Sequence, residues 1–135
     1  MYGFSEYITV YNRLFDPETG YDKYYRTVIG PCSWQAKAQT AQDGTEATRR
    51  DIHKIRIPEK ALLTVPGKEY TEPGAFTDPG RQFTFSEADE IVRGAVTEEK
   101  TRGDSLRGKF SCICTVRTVH DNRRVLPPHL YVEGD

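Results

Sequence analysis

Short runs of alternating apolar and polar residues recur along the chain, separated by turn residues, and this pattern predicts β-strands. The first two runs flank the turn sequence Asp16-Pro17-Glu18-Thr19-Gly20 and predict one hairpin over residues 7–29. The predicted strands are Tyr7–Arg13, Tyr21–Ile29, Cys32–Lys37, Ile52–Ile57, Gln82–Phe85, Ile91–Val96, Phe110–His120 and an edge strand at Leu130–Val132.

The segments between these runs lack periodicity. Residues 38–51 are polar and predict a loop, or at most a short helix near Thr45–Arg50. Residues 58–82 are dense in Pro and Gly and predict a long loop that lies against the domain. Residues 97–109 are mostly charged and predict a mobile loop that projects from the domain, and residues 125–135 predict a C-terminal tail. We therefore expect one domain over residues 1–135, a small antiparallel β-barrel or sandwich with long loops and at most one short helix.

The predicted core is lean in aliphatic residues and rich in aromatic ones, with eight Tyr, six Phe and one Trp. Aromatic side chains bury large areas, so the chain should fold, with part of its surface left for a partner. The expected core residues are Ile8, Val10, Tyr24, Val28, Trp34, Ile55, Ile57, Phe85, Ile91, Val92, Ile113 and Val116.

Charge and cysteine content narrow the class of protein. The 135 residues carry a formal net charge of −1, whereas a dedicated nucleic-acid binder normally has a basic surplus. No apolar run approaches the roughly 20 residues of a membrane span, and the N-terminus does not read as a signal peptide. Three cysteines, an odd number, indicate reduced thiols and a cytosolic setting.

Few residues suggest chemistry. Cys112 and Cys114 point the same way on a strand, so a metal shared with Cys32 or His120 is conceivable, but small buried side chains are the favoured interpretation. His120-Asp121 has the composition of half an acid–base pair, and Ser105 does not lie in a nucleophile elbow. We therefore expect no catalytic residue, no metal and no cofactor.

Basic residues cluster in three places, around Arg49-Arg50, around Lys100 and at Arg123-Arg124. Interleaved acids favour solvated loop charge, and contact with a polyanion or a neighbouring subunit is the alternative. The candidate contacts with subunits or a DNA channel are Lys100, Arg102, Asp104, Arg107 and Lys109. The candidate interface residues are Tyr70, Phe76, Arg81, Arg49 and Arg50.

The order of several motifs resembles a family of small virion structural proteins from tailed bacteriophages and prophages of Gram-positive bacteria. The motifs are ITVYNRLFDPETGYDKYYRTVI at 8–29, CSW at 32–34, IRIP at 55–58, GKEY at 67–70, FTFSEADEIVRG at 83–94, VHDNRR at 119–124 and PHLYVEG at 128–134. Members of that family are of the head–tail connector or head-closure (stopper) type. One departure is Ala88, which stands where they often carry Gly.

The resemblance implies a non-enzymatic subunit that repeats in a cyclic ring of six or twelve copies at the virion neck. Its implied partners are a portal or adaptor ring, a tail-side protein and, transiently, packaged DNA, with no membrane, after assembly in the host cytoplasm. A tail-completion or capsid-associated minor structural protein, and a host ligand-binding β-barrel, remain the alternatives.

Overall fold

The computed structural model describes residues 5–42, 47–100 and 106–135, and gives residues 37–42 and 47–51 at the level of the backbone. The fold is mainly β, with 52% strand and 10% helix. The strands are β1 (Glu6–Asp16), β2 (Tyr21–Gln42), β3 (Ala47–Pro58), β4 (Glu69–Tyr70), β5 (Gln82–Phe83), β6 (Glu90–Arg93), β7 (Ile113–Asn122) and β8 (His129–Gly134). The α-helix is α1 (Glu59–Leu63), and 3₁₀ turns lie at Pro73–Ala75 and Leu106–Gly108.

Six strands close into an antiparallel barrel in the order β1-β2-β3-β8-β7-β6. Closure leaves the β1–β2 turn, the β3–α1 junction and the β7–β8 turn at one end of the barrel. At the other end of the barrel, β2 and β6 end and β3 and β7 begin. The predicted fold class, a mainly β antiparallel barrel or sandwich with at most one short helix, is confirmed, and the described residues contain one short α-helix.

The barrel interior is filled by side chains that alternate along each strand. Ile8 and Val10 point inward from β1, and Ile55 and Ile57 do so from β3, all fully buried. Most of the predicted core is confirmed. Tyr24 and Val28 are corrections, because both are only half-buried, whereas Thr27 and Ile29, which flank Val28, are buried.

Strand β2 is long because it serves two partners in succession. It pairs with β1 up to Cys32 and with β3 from Ser33 onward. Its last part, residues 37–42, pairs with residues 47–52 beyond the point where β8 pairs with β3, and we call this two-stranded projection the arm. The expectation of a loop or helix over 38–51 is therefore wrong for its described residues. Residues 38–51 are mostly polar, so these two strands show no hydrophobic alternation from which they could be predicted.

A shorter ribbon projects at the opposite end, where residues 12–16 of β1 pair with residues 21–25 of β2 beyond the end of β6. Because β2 begins in this ribbon and ends in the arm, one continuous strand connects the two ends of the molecule. The segment after β3 helps to close the end of the barrel that carries the short ribbon. There Ala61 and Leu62 of α1 join the core, and Tyr70 packs edge-on against Phe83.

The β6–β7 connection lies along the outside of the barrel, and its described residues, 94–100 and 106–112, are called the strap. The strap covers the outer faces of β1, β6 and β7, where Leu106 packs in a second apolar cluster with Tyr11 and Val92. The Tyr11 hydroxyl donates to the Glu98 carbonyl at 2.6 Å. The expected projecting loop at 97–109 is therefore wrong for these residues, because the outward apolar residues of β1 and β6 require a cover.

Candidate interaction surfaces

The strap holds three of the predicted channel contacts, and two of them, Lys100 and Arg107, use their charged groups within the molecule. The Lys100 ammonium pairs with Glu90 and lies 4.4 Å from the centre of the Tyr24 ring, with its side chain only 12% exposed. Arg107 donates to the Thr115 hydroxyl and the Asp135 carbonyl, each at 2.6 Å. Lys109 is exposed. Arg102 and Asp104 lie outside the described residues.

The predicted interface residues are not brought together. Phe76 is buried and Tyr70 is half-buried, with the Arg123 guanidinium 5.2 Å from the centre of the Tyr70 ring. Arg81 is exposed. Arg49 and Arg50 lie on the β3 side of the arm, paired with Thr40 and Gln39, and their side chains lie outside the described part. These candidates therefore occupy both ends of the barrel.

Sequence analysis missed a concentration of exposed apolar side chains at one end. Of the six large exposed hydrophobic residues in the described part of the chain, five lie beside the β1–β2 turn, on α1 or in the β7–β8 turn, which share an end of the barrel. We call this the apolar end. Its apolar residues, with exposed fractions, are Phe15 (60%), Tyr21 (49%), Leu63 (75%), Val125 (49%) and Leu126 (94%). The available signal was the apolar pair Val125-Leu126 at the start of the predicted C-terminal tail.

A charged cleft of about 520 Å³ opens at the apolar end. Arg123 binds both carboxylate oxygens of Asp121, at 2.8 and 2.7 Å, and this pairing lowers the pKa of Asp121. The remaining lining residues are Glu59, Glu72 and Arg124. The Glu59 backbone N–H donates to the Pro128 carbonyl at 3.0 Å, which holds α1 beside the β7–β8 turn. The exposed residues Leu63 and Leu126 belong to the two elements joined by this bond.

The cysteines lie in or against the core. Cys32 and Cys114 are buried, and burial raises the pKa of each thiol to about 12. Cys112 is half-buried against the same core, whereas His120 is exposed near the far end of β7. Within the described ranges, no group of three or more His, Cys, Asp or Glu residues is arranged to hold a metal ion.

No helix in the described part of the chain is long and apolar enough to cross a membrane. Neither the curated proteins nor the solved structures contain a match to this chain. One protein family matches over residues 4–135, nearly the whole length, and its description is "Family of unknown function (DUF6751)". The β-barrel with its arm, strap and apolar end is thus the fold of a DUF6751 sequence, and the chain belongs to that family.

Proposed function

We propose that this protein is a structural subunit of a bacteriophage virion, located at the neck, where copies form a ring that joins the portal side to the tail side as a connector or stopper. The observation that carries the proposal is the two-ended layout. A filled barrel separates an apolar end from a projecting arm, and β2 runs through both. A subunit that joins two different neighbours needs distinct contact surfaces held at a fixed separation.

The apolar end is suited to a lasting protein contact. Exposed apolar side chains in a patch generally mark interaction surfaces. The ion pairs Arg13–Asp22, Lys23–Asp16 and Arg123–Asp121 neutralise much of the charge at the same end, which lowers the cost of covering it. We assign this end to a neighbouring ring, on either the portal or the tail side.

The arm is suited to contact between copies. Its two strands pair with each other, and within the described residues neither has a third strand beside it. Exposed strand edges are recognised by the addition of another strand. Repeated head-to-tail contacts that close on themselves give a cyclic ring.

Two alternatives differ in where the protein acts. A tail-completion or capsid-associated role uses the same surfaces at another place in the particle. A ligand-binding barrel of the host is less well supported, because the barrel axis is filled by buried side chains such as Ile55, Phe85 and Val132.

The test is electron microscopy of particles induced from a host that carries the gene. An epitope fused to this chain and labelled with gold should lie at the head–tail junction. Without the gene, we expect DNA-filled or leaking heads that carry no tails. Two variant genes are then supplied to the host that lacks the gene. One replaces residues 37–52 with a tight turn, and the other carries Leu63→Ser with Leu126→Ser. Neither should restore tails or infectivity, although both variant proteins remain folded.

The pattern of label decides between the alternatives. Gold spread over the head surface would favour a capsid-associated protein, and gold at the tail tip would exclude the neck. Normal infectious particles without the gene, or absence of label from purified particles, would overturn the virion assignment.

A further inference from the structure

The outward residues of β3, β8 and β7 form a continuous surface, which we call the outer wall. The register places Arg56 beside Tyr131 and Tyr131 beside His120. The adjacent row places Lys54 beside Glu133 and Glu133 beside Thr118. Two regions that are far apart in sequence, the basic residues of β3 and the 119–124 segment, therefore meet on one surface.

The first row is an ordered stack of side chains. The Arg56 guanidinium carbon lies 5.2 Å from the centre of the Tyr131 ring. The His120 ring is stacked on Tyr131, with centroids 5.9 Å apart and planes 25° from parallel. The Tyr131 hydroxyl donates to Glu133 at 3.0 Å, which fixes the ring at the centre of the stack. A side chain held in this way loses less rotamer freedom on binding.

The cations of the outer wall are available, in contrast to Lys100 and Arg107 of the strap. Neither Lys54 nor Arg56 forms an ion pair within the described residues, and Arg56 is exposed. On the strap, Lys100 is paired with Glu90 and Arg107 donates to Thr115 and Asp135. Among the described residues, β3 therefore carries two neighbouring cations without an ion pair, whereas the strap carries one cation without a side-chain contact, Lys109.

We propose that the outer wall contacts the phosphate backbone of duplex DNA without reading its sequence. Arg and Lys, together with neutral donors such as Thr and Asn, make most contacts to DNA phosphates. The wall supplies both kinds, with Lys54 and Arg56 on β3 and Thr118 and Asn122 on β7, where Asn122 Nδ2 also lies 3.4 Å from His129 Nε2. An acidic peptide offers the same charge, but the neutral donors on β7 suit phosphate oxygens, and the small number of cations gives a weak contact.

The choice of DNA as the polyanion rests on the proposed neck position, where packaged DNA passes the subunit. The availability of the wall's cations rests only on the contacts described above. A weak contact suits passage, because strong phosphate binding would hold the DNA in place.

The test measures binding of a fluorescein-labelled duplex to the full chain by fluorescence anisotropy, from about 50 mM to about 200 mM salt. Lys54→Glu with Arg56→Glu reverses both cations of the wall. Lys60→Glu with Arg81→Glu is the matched control, because it makes the same change in net charge at an exposed lysine and an exposed arginine outside the wall. Circular dichroism spectra of both double variants serve as the check that they are folded.

We expect the wall variant to bind about tenfold more weakly at the lower salt concentration and to show a shallower salt dependence. Each lost phosphate contact should reduce the slope of log K against log salt by about 0.9. The control should stay within about threefold of the original protein. Equal losses in the two variants would overturn the proposal, as would undetectable binding by the original protein at low salt.

A competitor separates the two kinds of polyanion. Polyglutamate at equal charge concentration should displace the duplex poorly, and displacement equal to that by unlabelled DNA would indicate an acidic protein partner and overturn the proposal. A negative result in these binding assays would overturn the DNA contact and not the neck position, because gold labelling of particles measures location and not DNA binding.

Discussion

Asn12 of β1 donates a hydrogen bond from Nδ2 to Oδ2 of Asp89 at 2.9 Å, inside the protein and across a large separation in sequence. The same amide exchanges bonds with the Thr84 backbone, donating to its carbonyl at 2.6 Å and accepting from its N–H at 3.1 Å. The Ser86 N–H also donates to Asp89 Oδ2, at 3.0 Å. This buried polar pair therefore attaches the segment before β6 to the short ribbon of β1.

Asp89 should make stability depend on pH. Burial raises its pKa from 3.8 to about 6, although the hydrogen bond from Asn12 opposes the rise. The folded state therefore binds this proton more tightly than the unfolded state, and the resulting stability is present below about pH 4 and lost as the pH rises to about 6. A shift of this size corresponds to at most about 3 kcal/mol.

The change that tests this is Asp89→Asn, which removes the titration and keeps a side chain of similar shape. Urea unfolding followed at several pH values should show that the variant lacks the fall in unfolding free energy that the original protein shows between about pH 4 and pH 6. Parallel pH profiles for the two proteins would mean that Asp89 does not carry this proton.

Ala88→Gly should stabilise the protein. Ala88 has φ of 76°, the left-handed region that favours glycine, and its N–H donates to the Val116 carbonyl at 2.9 Å, which holds the turn in place. A Cβ in this region costs roughly 1–2 kcal/mol of folding free energy, which glycine avoids. Part of this gain is offset because glycine increases the conformational entropy of the unfolded chain. We expect a net gain of up to about 1 kcal/mol, measured by urea unfolding with Trp34 fluorescence.

The matched control is Ala95→Gly, because Ala95 does not have a positive φ and glycine there should only add freedom to the unfolded chain. Equal effects of the two substitutions would show that the Ala88 backbone is not strained.

The sequence predicts those parts of the fold in which one face of a strand is buried. Ile8, Val10, Ile55 and Ile57 alternate with polar residues because the barrel interior takes every second side chain. The same rule predicts Tyr24 in the core, but Tyr24 lies on the short ribbon beyond the barrel, where Lys100 covers it. Alternation shows which residues share a face, and it does not show where a strand leaves the barrel.

The surfaces were harder to predict than the core. Residues 97–109 are mostly charged, and such a sequence is typical of a mobile loop, yet Leu106 within it is fully buried. The outer wall depends on the register among β3, β8 and β7, which brings Arg56, Tyr131 and His120 into one row. Pairings between distant strands are not encoded in local patterns.

Leu106→Ala should loosen the strap. The side chain is fully buried in the cluster with Tyr11 and Val92, so its truncation should cost about 3 kcal/mol of unfolding free energy. Leu63→Ala is the matched control, because Leu63 is 75% exposed and its truncation should cost less than about 0.5 kcal/mol. Hydrogen exchange should also show reduced protection of residues 94–100 in the Leu106 variant. Similar costs for the two substitutions would contradict the packed strap.

The three thiols should react at different rates in the native protein. Cys32 and Cys114 are buried with pKa values of about 12, and the Cys32 thiol donates to the Glu6 carbonyl at 3.3 Å. Reaction with a thiol reagent requires both access and the thiolate, so at pH 8 these two should react only when the barrel opens. Half-buried Cys112 should react first.

Intact mass and peptide mapping after brief treatment with iodoacetamide should therefore find one modified site, at Cys112, and three after unfolding in urea. Cys112→Ser should leave the native protein unmodified over the same period. Cys114 lies on β7 opposite Ile91 of β6, where four-residue β6 links β7 to β1. Rapid modification of Cys114 in the native protein would mean that the barrel opens at this short strand, and the closed arrangement on which the separation of arm and apolar end depends would be wrong.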